Sequence, residues 1–153
     1  MPTTQTTNSA FQTSNKEIAR KLYEDCLNTG KLELLKDLID DNYVDFKGDK
    51  GPAAFAETAK GLRTGFPDIH WTIDDLIAEG DKVVVRSTWH GTHDGTFRNF
   101  APTGKKITDH GISIYQIRGN KITQSWLETD RLGFLQQLGV IPVNIGAPVK
   151  PKP

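Results

Sequence analysis

The sequence has little of several features that would place it quickly in a functional class. It contains one cysteine, Cys26, among 153 residues, so we expect neither a disulfide framework nor a thiolate metal cluster. No apolar run approaches the ~20 residues of a membrane-spanning helix. No Gly-rich loop is followed by Lys and Ser or Thr, the pattern that binds phosphates. The polar N-terminus has no hydrophobic segment typical of a secretory signal, so a cytoplasmic location is expected.

An excess of charge of either sign is also missing. Lys and Arg together number 19, Asp and Glu together number 19, and the formal net charge is zero. We therefore expect no nucleic-acid partner and no membrane partner, since both require a basic surface. A surface near neutrality resists self-association poorly, which fits an oligomer.

What the chain does have is a second half rich in β-branched and aromatic residues, which favours strands. A helix is predicted from Ser14, whose S-x-x-E spacing with Glu17 forms a capping box. Further helices are expected over Lys31–Ile39, from Pro52 to about Gly65, and over Arg131–Leu138 with Asp130 as N-cap. The expected strands are Ile69–Ala78, Val83–His93, Ile107–Ile117 and Lys121–Thr129.

Runs of helices followed by runs of strands predict an α+β domain with helices on one face of an antiparallel sheet. A curved sheet wrapped around three N-terminal helices, with a short C-terminal helix, would form a cone. We expect one domain over residues 15–141, a disordered tail over 1–14 and an extended tail over 142–153. The loop Gly95–Lys105 has the length of a lid or binding element.

Several local strings match a known family in order and position. They are Asn28-Thr29-Gly30-Lys31-Leu32, Phe66-Pro67-Asp68, Gly80-Asp81-Lys82-Val83, Arg86, Gly91-Thr92-His93 with Gly95, Pro102-Thr103-Gly104, Lys121-Ile122, Trp126, Asp130 and Gln137-Leu138-Gly139. Over residues 16–141 the chain resembles the SnoaL-like polyketide cyclases, or ester cyclases, of the NTF2-like superfamily. The resemblance implies the cone fold, a homodimer, a mostly apolar pocket for a hydrophobic small molecule, and no metal or organic cofactor.

The catalytic residues of that family do not carry over to this chain. In its characterised cyclases, an Asp on the last strand and a His on the preceding strand drive an intramolecular aldol ring closure. Alignment on Gly139 and on the turn before Lys121 places Leu127 at the Asp position and Ser113 at the His position. Leucine cannot move a proton, so the fold expectation stands while the aldol-cyclase expectation is weakened.

Asp109 is the best remaining proton carrier. It shares strand parity with Gly111, Ser113 and Tyr115, so all four face the pocket if Ser113 does. Burial would disfavour the charged form of Asp109 and suit it to proton transfer near neutral pH. The alternative is a solvated or ion-paired carboxylate at the rim of the sheet. His110 is a second catalytic candidate, although its opposite parity points it to the convex side.

Other residues are candidates for binding substrate. Arg86 lies among valines, so burial and a carboxylate partner, Asp109 or Asp130, are expected; this pair either orients substrate or fixes strand register. Tyr23 lies on the apolar face of the first helix, and Phe66 is one of the aromatic residues that could line the pocket. His90 and His93 point to opposite faces, and a metal site is not expected.

Two functions remain open on these residues. The first is a cofactor-independent enzyme that performs acid/base chemistry on a hydrophobic small molecule. The second is a non-catalytic binding module that keeps the cone without the proton relay, as Leu127 and Ser113 suggest. A homodimer through Ile112, Ile114 and Gln116 on the convex face is compatible with both.

Overall fold

A four-stranded antiparallel sheet organises the computed structural model, which describes residues 4–45 and 47–146. Its strands pair in chain order, as a meander. They are β1 (His70–Glu79), β2 (Lys82–Thr92), β3 (Lys106–Arg118) and β4 (Lys121–Thr129). The predicted strands are therefore confirmed to within one or two residues. The fold is α+β and fits the NTF2-like cone.

The helices precede and follow the sheet, as predicted. They are α1 (Thr4–Arg20), which continues as a π-helical segment (Lys21–Leu27), a 3-10 turn (Leu32–Leu34), α2 (Leu35–Leu38), α3 (Gly51–Gly65) and α4 (Arg131–Leu138). The capping-box prediction is wrong because α1 begins at Thr4 and Ser14 lies inside it. The helix packs on β1 and β2, and Asn15, Ile18 and Ala19 near its C-terminal end are buried. Residues Ala147–Pro153 of the predicted C-terminal tail lie outside the described residues.

The two faces of the sheet differ in burial. Residues of β2 and β3 alternate between buried and exposed, and the buried set packs with the helices into one core. We call this side of the sheet the inner face and the opposite side the outer face. Cys26 belongs to the core, and burial, with a smaller contribution from Glu33, raises the pKa of its thiol to about 11. Cys26 is therefore a protonated core residue and not a nucleophile.

Side-chain amides pair with backbone groups on the edge strand β1 and on the part of β3 that extends beyond β4. On β1, the Asn28 amide donates to the Trp71 carbonyl (2.9 Å) and accepts from the Trp71 N–H (2.7 Å). On β3, Gln137 of α4 pairs in the same way with Thr108, at 2.9 and 2.8 Å. Unpaired edges invite strand addition from other chains. These two amides satisfy the backbone groups of Trp71 and Thr108 in place of a further strand.

Gly95 provides a test of how the loop after β2 is held. Its N–H donates to the Gly65 carbonyl (3.1 Å), and a Cβ at Gly95 would stand 1.9 Å from the Thr64 carbonyl oxygen. We expect Gly95→Ala to lower the free energy of unfolding by about 2–3 kcal/mol, as overpacking does. Gly61→Ala in α3 is the control, because a Cβ there meets nothing within 4 Å. It should raise stability by about 0.5–1 kcal/mol in urea unfolding, and equal effects of the two variants would contradict this account of the loop.

Candidate functional site

The inner face of β3 carries the row of residues that the sequence singles out. Asp109, Ser113 and Tyr115 are 6%, 3% and 5% exposed, and Gly111 lies between Asp109 and Ser113. The predicted strand parity is therefore confirmed. The spacing of Asp109 and Ser113 along the strand is about 13 Å, at ~3.3 Å per residue.

Asp109 is a buried carboxyl that accepts a backbone hydrogen bond. The backbone N–H of His110 donates to its Oδ1 (3.0 Å), and the nearby Trp89 side chain helps to lower its pKa. Trp89 lies directly opposite Asp109 in the β2–β3 register. Burial raises the pKa of Asp109 above its ordinary value, and the nearby Asp130 carboxylate adds to the increase, whereas His110 and Trp89 oppose it. The result is a carboxyl that exchanges its proton closer to neutral pH than an exposed aspartate does.

Three hydroxyl groups form a second polar group farther along the row. The Tyr23 hydroxyl lies 2.9 Å from that of Tyr115 and donates to Ser113 Oγ at 3.3 Å. Burial raises the pKa of Tyr115 well above its ordinary value, so its hydroxyl stays protonated. Tyr23 lies in the π-helical segment, a deviation often found at functional sites. The three hydroxyls can exchange hydrogen bonds with one another or with an oxygen atom of a ligand.

Aromatic rings pack on the inner face beside Asp109. Phe66 is fully buried and touches every other ring of this aromatic cluster, with ring centroids 5.0 Å from Trp89, 5.2 Å from His93, 5.5 Å from Phe97 and 6.0 Å from Phe134. Phe97 comes from the loop after β2 and Phe134 from α4. Phe66, a predicted substrate-binding residue, is therefore the centre of the packing next to the candidate acid.

Leu127 lies opposite Ser113 in the β3–β4 register and is 60% exposed. Its Cδ1 stands 3.4 Å from the place that a Cβ on Gly111 would occupy. Because Gly111 has no side chain, the Leu127 side chain can occupy the space above it. Leu127 thus presents an apolar, solvent-reachable surface beside the row of Asp109 and Ser113.

The prediction for Arg86 is wrong on both burial and partner. Arg86 is exposed on the outer face, where it forms ion pairs with Asp75 and Asp74 of β1, and not with Asp109 or Asp130. The run of valines around it suggested burial, but only alternate valines face the core. Arg86 and Asp109 lie on opposite faces of the sheet, so the structure does not bring them together.

His110 also lies on the outer face, as its parity predicted. Its Nδ1 is 3.0 Å from Thr88 Oγ1, and that hydroxyl donates to Asp74 at 2.6 Å. Because Thr88 gives its only proton to Asp74, it accepts from a protonated Nδ1 of His110. The imidazole of His110 therefore points away from Asp109, and only its backbone N–H reaches that carboxyl.

Two surface depressions accompany these elements. One, of about 300 Å³, lies by the outer face between Arg86, His110, Glu128 and Asp130. The other, of about 580 Å³, lies beside β1 at Trp71. Within the described part of the chain, no three His, Cys, Asp or Glu side chains converge as metal ligands would, and none of the described helices combines the length and apolarity that crossing a membrane requires.

Trp89 is the functional contact that sequence reasoning missed. Its position beside Asp109 cannot be predicted locally, because the register of Trp89 against Asp109 depends on how β2 and β3 pair. The long loop between those strands does not specify that register locally. The parity of Trp89 with Val83 and Val85 was the one available signal that it faces inward.

Known proteins share both the sequence pattern and this fold. The SnoaL-like polyketide cyclase family model matches residues 17–138. A candidate polyketide cyclase from Acidithiobacillus ferrooxidans is 33% identical, with 82% of this chain and 94% of that chain covered and a TM-score of 0.70. One from Bacillus cereus is 32% identical, with 84% and 83% covered and a TM-score of 0.70.

IdmH, a candidate polyketide cyclase from Streptomyces antibioticus, is 27% identical, with 82% of this chain and 99% of that chain covered and a TM-score of 0.70. The comparison with curated proteins finds no significant match. The family match covers most of the chain, and two solved structures exceed 30% identity. The chain therefore belongs to the SnoaL-like polyketide cyclase family.

Proposed function

We propose that this protein is an enzyme that performs acid/base chemistry on a hydrophobic small molecule, with Asp109 as its proton carrier. The observation that carries the proposal is the burial of Asp109 on the inner face, where desolvation raises its pKa. A general base works best when its pKa lies near the operating pH. Proton transfer by a carboxyl needs no cofactor.

The family name suggests a polyketide as the substrate class, and ring closure as the reaction. In such a step the Asp109 carboxylate removes a proton from a carbon next to a carbonyl group. The resulting carbanion attacks a second carbonyl carbon of the same molecule, and the oxygen of that carbonyl takes up the proton. Tyr23, Ser113 and Tyr115 supply neutral donors for a substrate oxygen, and Leu127 and Phe66 supply apolar contacts.

A non-catalytic binding module is the second candidate. Leu127 and Ser113 stand where the family's cyclases carry the catalytic Asp and His, and neither side chain can replace those groups. The aromatic cluster also fills much of the inner face beside Asp109. A protein with this arrangement could retain a hydrophobic ligand without converting it.

One screen separates the two candidates. The protein is incubated with linear and cyclic aromatic polyketides, steroids and fatty acids, while thermal shift reports binding and chromatography with mass detection reports products. Because ring closure by aldol addition leaves the mass unchanged, retention time and absorbance must be followed as well. Binding with turnover supports the enzyme, binding without turnover supports the module, and no binding of any class contradicts both.

We further propose that the protein forms a homodimer through the outer face. Four apolar residues cross the whole sheet there in one register row: Ile77, Val84, Ile114 and Trp126. Ile77 and Trp126 are 60% and 43% exposed. A row of this kind is self-complementary about a two-fold axis, and a second copy would remove it from water.

Cytoplasmic residence is also proposed, because the one cysteine is a buried free thiol.

A charge in the apolar row should separate the dimer. Ile77→Glu is expected to shift the sedimentation coefficient from dimer to monomer at micromolar concentration, because burying an unpaired carboxylate is costly. Leu132→Glu is the matched control, since Leu132 is 49% exposed on α4 and lies outside the row. A wild-type protein that sediments as a monomer at the same concentration would refute the dimer.

A further inference from the structure

His93 carries a hydrogen-bond donor that nothing in the described part of the chain satisfies. The residue is fully buried, and its Nε2 has no hydrogen-bond partner there. A buried donor without a partner lowers stability. Such groups are uncommon in folded proteins and call for an explanation.

The contacts of the ring show which nitrogen bears the proton. The backbone N–H of Thr103 donates to His93 Nδ1 (3.2 Å), and the Thr103 hydroxyl lies 3.0 Å from the same atom. That hydroxyl accepts from the Lys105 N–H, so it is free to donate its own proton to Nδ1. With Nδ1 acting as acceptor, the neutral imidazole carries its proton on Nε2. The unpartnered atom is therefore a donor, and its natural partner is an oxygen or nitrogen acceptor.

The backbone of His93 explains the position of the residue but not this donor. Its carbonyl accepts from the N–H groups of Thr103 (3.1 Å) and Gly104 (2.9 Å), and its N–H donates to Lys105 (2.9 Å). These bonds and the Nδ1 contacts hold the base of the loop after β2 in place. Bracing uses every polar group of His93 except Nε2.

The surroundings of His93 indicate what kind of acceptor would fit. The imidazole stacks on Phe66 (5.2 Å, 29° between planes), and Phe66 in turn packs on Trp89 and Phe97. Flat aromatic faces favour a flat partner. Trp89 lies directly opposite Asp109 in the β2–β3 register, so the aromatic cluster joins the His93 ring to the candidate acid. A ligand in this cluster would meet one donor and one acid and would otherwise touch rings.

We propose that His93 Nε2–H recognises a carbonyl or phenolic oxygen of a flat aromatic ligand that enters the aromatic cluster by displacing Phe97. Phe97 is the ring best placed to move, because it is only half-buried and comes from a loop. The inference rests on the proposed function in one respect, since it takes the inner face of the sheet as the side on which the ligand binds. It goes beyond that function by naming the group that donates a hydrogen bond to an oxygen atom of the ligand.

Two naphthalenes test the proposal because they differ at the recognised atom. 2-Acetylnaphthalene carries a carbonyl where 2-ethylnaphthalene carries a methylene, and their shapes are similar. Dissociation constants from tryptophan fluorescence or calorimetry should show that the wild-type protein binds the ketone about tenfold more tightly, the value of one good neutral hydrogen bond. On the wild-type protein, the nitrogen-15 resonance of Nε2 should shift with the ketone and not with the hydrocarbon.

Two variants separate recognition from bracing. His93→Asn keeps an acceptor near the Nδ1 position and removes the Nε2 donor, so it should fold and lose the preference for the ketone. His93→Gln keeps a donor near the Nε2 position and loses the brace, so it should retain part of the preference at a lower Tm. Asp109→Asn should retain the whole preference even though turnover falls, which separates failure of this inference from failure of the proposed enzyme.

Three results would overturn the proposal. The first is equal affinity of the wild-type protein for the two naphthalenes, and the second is a tenfold preference that survives in His93→Asn. The third is absence of binding of either compound at millimolar concentration. A crystal structure with an ordered water on Nε2, combined with equal affinities, would assign the donor to that water.

Discussion

Asp109→Asn should lower turnover of the substrate about 10²–10⁴-fold, the usual loss when a general acid/base is removed. The amide is nearly the same size as the carboxyl and still accepts the His110 N–H bond, but it cannot carry the proton. Substrate affinity should change little, because the apolar contacts of Phe66 and Leu127 remain. The measurement is kcat and Kd of wild type and variant on a substrate found in the ligand screen.

Asp130→Asn is the matched control for this variant. Asp130 caps α4 by accepting the Gly133 N–H (2.9 Å), and asparagine is an equally good N-cap. The substitution removes the charge that helps to raise the pKa of Asp109 but leaves the proton carrier in place. Turnover should therefore remain within a few-fold of wild type, with the acidic limb of the pH–rate profile moved to lower pH. Wild-type turnover in Asp109→Asn would remove Asp109 from the mechanism.

The stability of Asp109→Asn offers an independent check. Because burial raises the folded-state pKa of Asp109 above 3.8, the folded protein binds this proton more tightly than the unfolded chain. Between 3.8 and the folded-state pKa, rising pH therefore lowers the free energy of unfolding of the wild type. The variant lacks this dependence. The Tm of Asp109→Asn minus the Tm of the wild type should be largest at pH values above the folded-state pKa of Asp109. This difference should decrease as the pH falls and should reach its lowest value below pH 3.8.

Phe66→Ala should lower the free energy of unfolding by about 3–5 kcal/mol, as expected for a large ring removed from a core. Phe66 is fully buried and contacts four other rings from β2, α4 and the loop after β2. Those rings come from separate parts of the chain, so they cannot collapse together to fill the space. Urea unfolding followed by circular dichroism gives the value.

Leu132→Ala is the control for Phe66→Ala. Leu132 is 49% exposed, and exposed substitutions of this kind change stability by about 0.5 kcal/mol or less. A loss below about 1 kcal/mol in Phe66→Ala would show that the aromatic cluster is not a centre of stability. The contrast also bears on His93, because a loosely packed cluster would admit a ligand without moving Phe97.

Local patterns account for most of the predicted elements. Alternation of apolar residues placed Asp109, Ser113 and Tyr115 on one face of β3, since strand periodicity is a local property of the backbone. The tight turn Gly119-Asn120 set the β3–β4 hairpin, and both residues have positive φ (58° and 62°), as a two-residue hairpin turn requires. Asp130 was predicted as N-cap for the same reason, because capping depends on a few neighbouring residues.

Contacts between distant segments account for the errors. The carboxylate partners of Arg86 lie on the neighbouring strand β1. A bulge there between Ile73 and Asp75 places both Asp74 and Asp75 within reach of the guanidinium. No local pattern in the sequence reveals a bulge of this kind. The start of α1 was also missed, since the Thr, Asn and Ser residues of its first turns have modest helix propensity.

The sequence by itself determined the family, the α+β order of elements and the face of β3 on which Asp109 lies. These properties follow from local spacing and from short motifs, which do not depend on how the chain closes. Only the tertiary structure decided that Trp89 lies opposite Asp109, that Arg86 and His110 belong to the outer face network, and that His93 buries a donor without a partner. Each of these depends on strand register or on long-range packing, which no local stretch of sequence specifies. The same long-range packing buries Asp109 and His93, and this burial raises the pKa of Asp109 and leaves Nε2 of His93 without a hydrogen-bond partner.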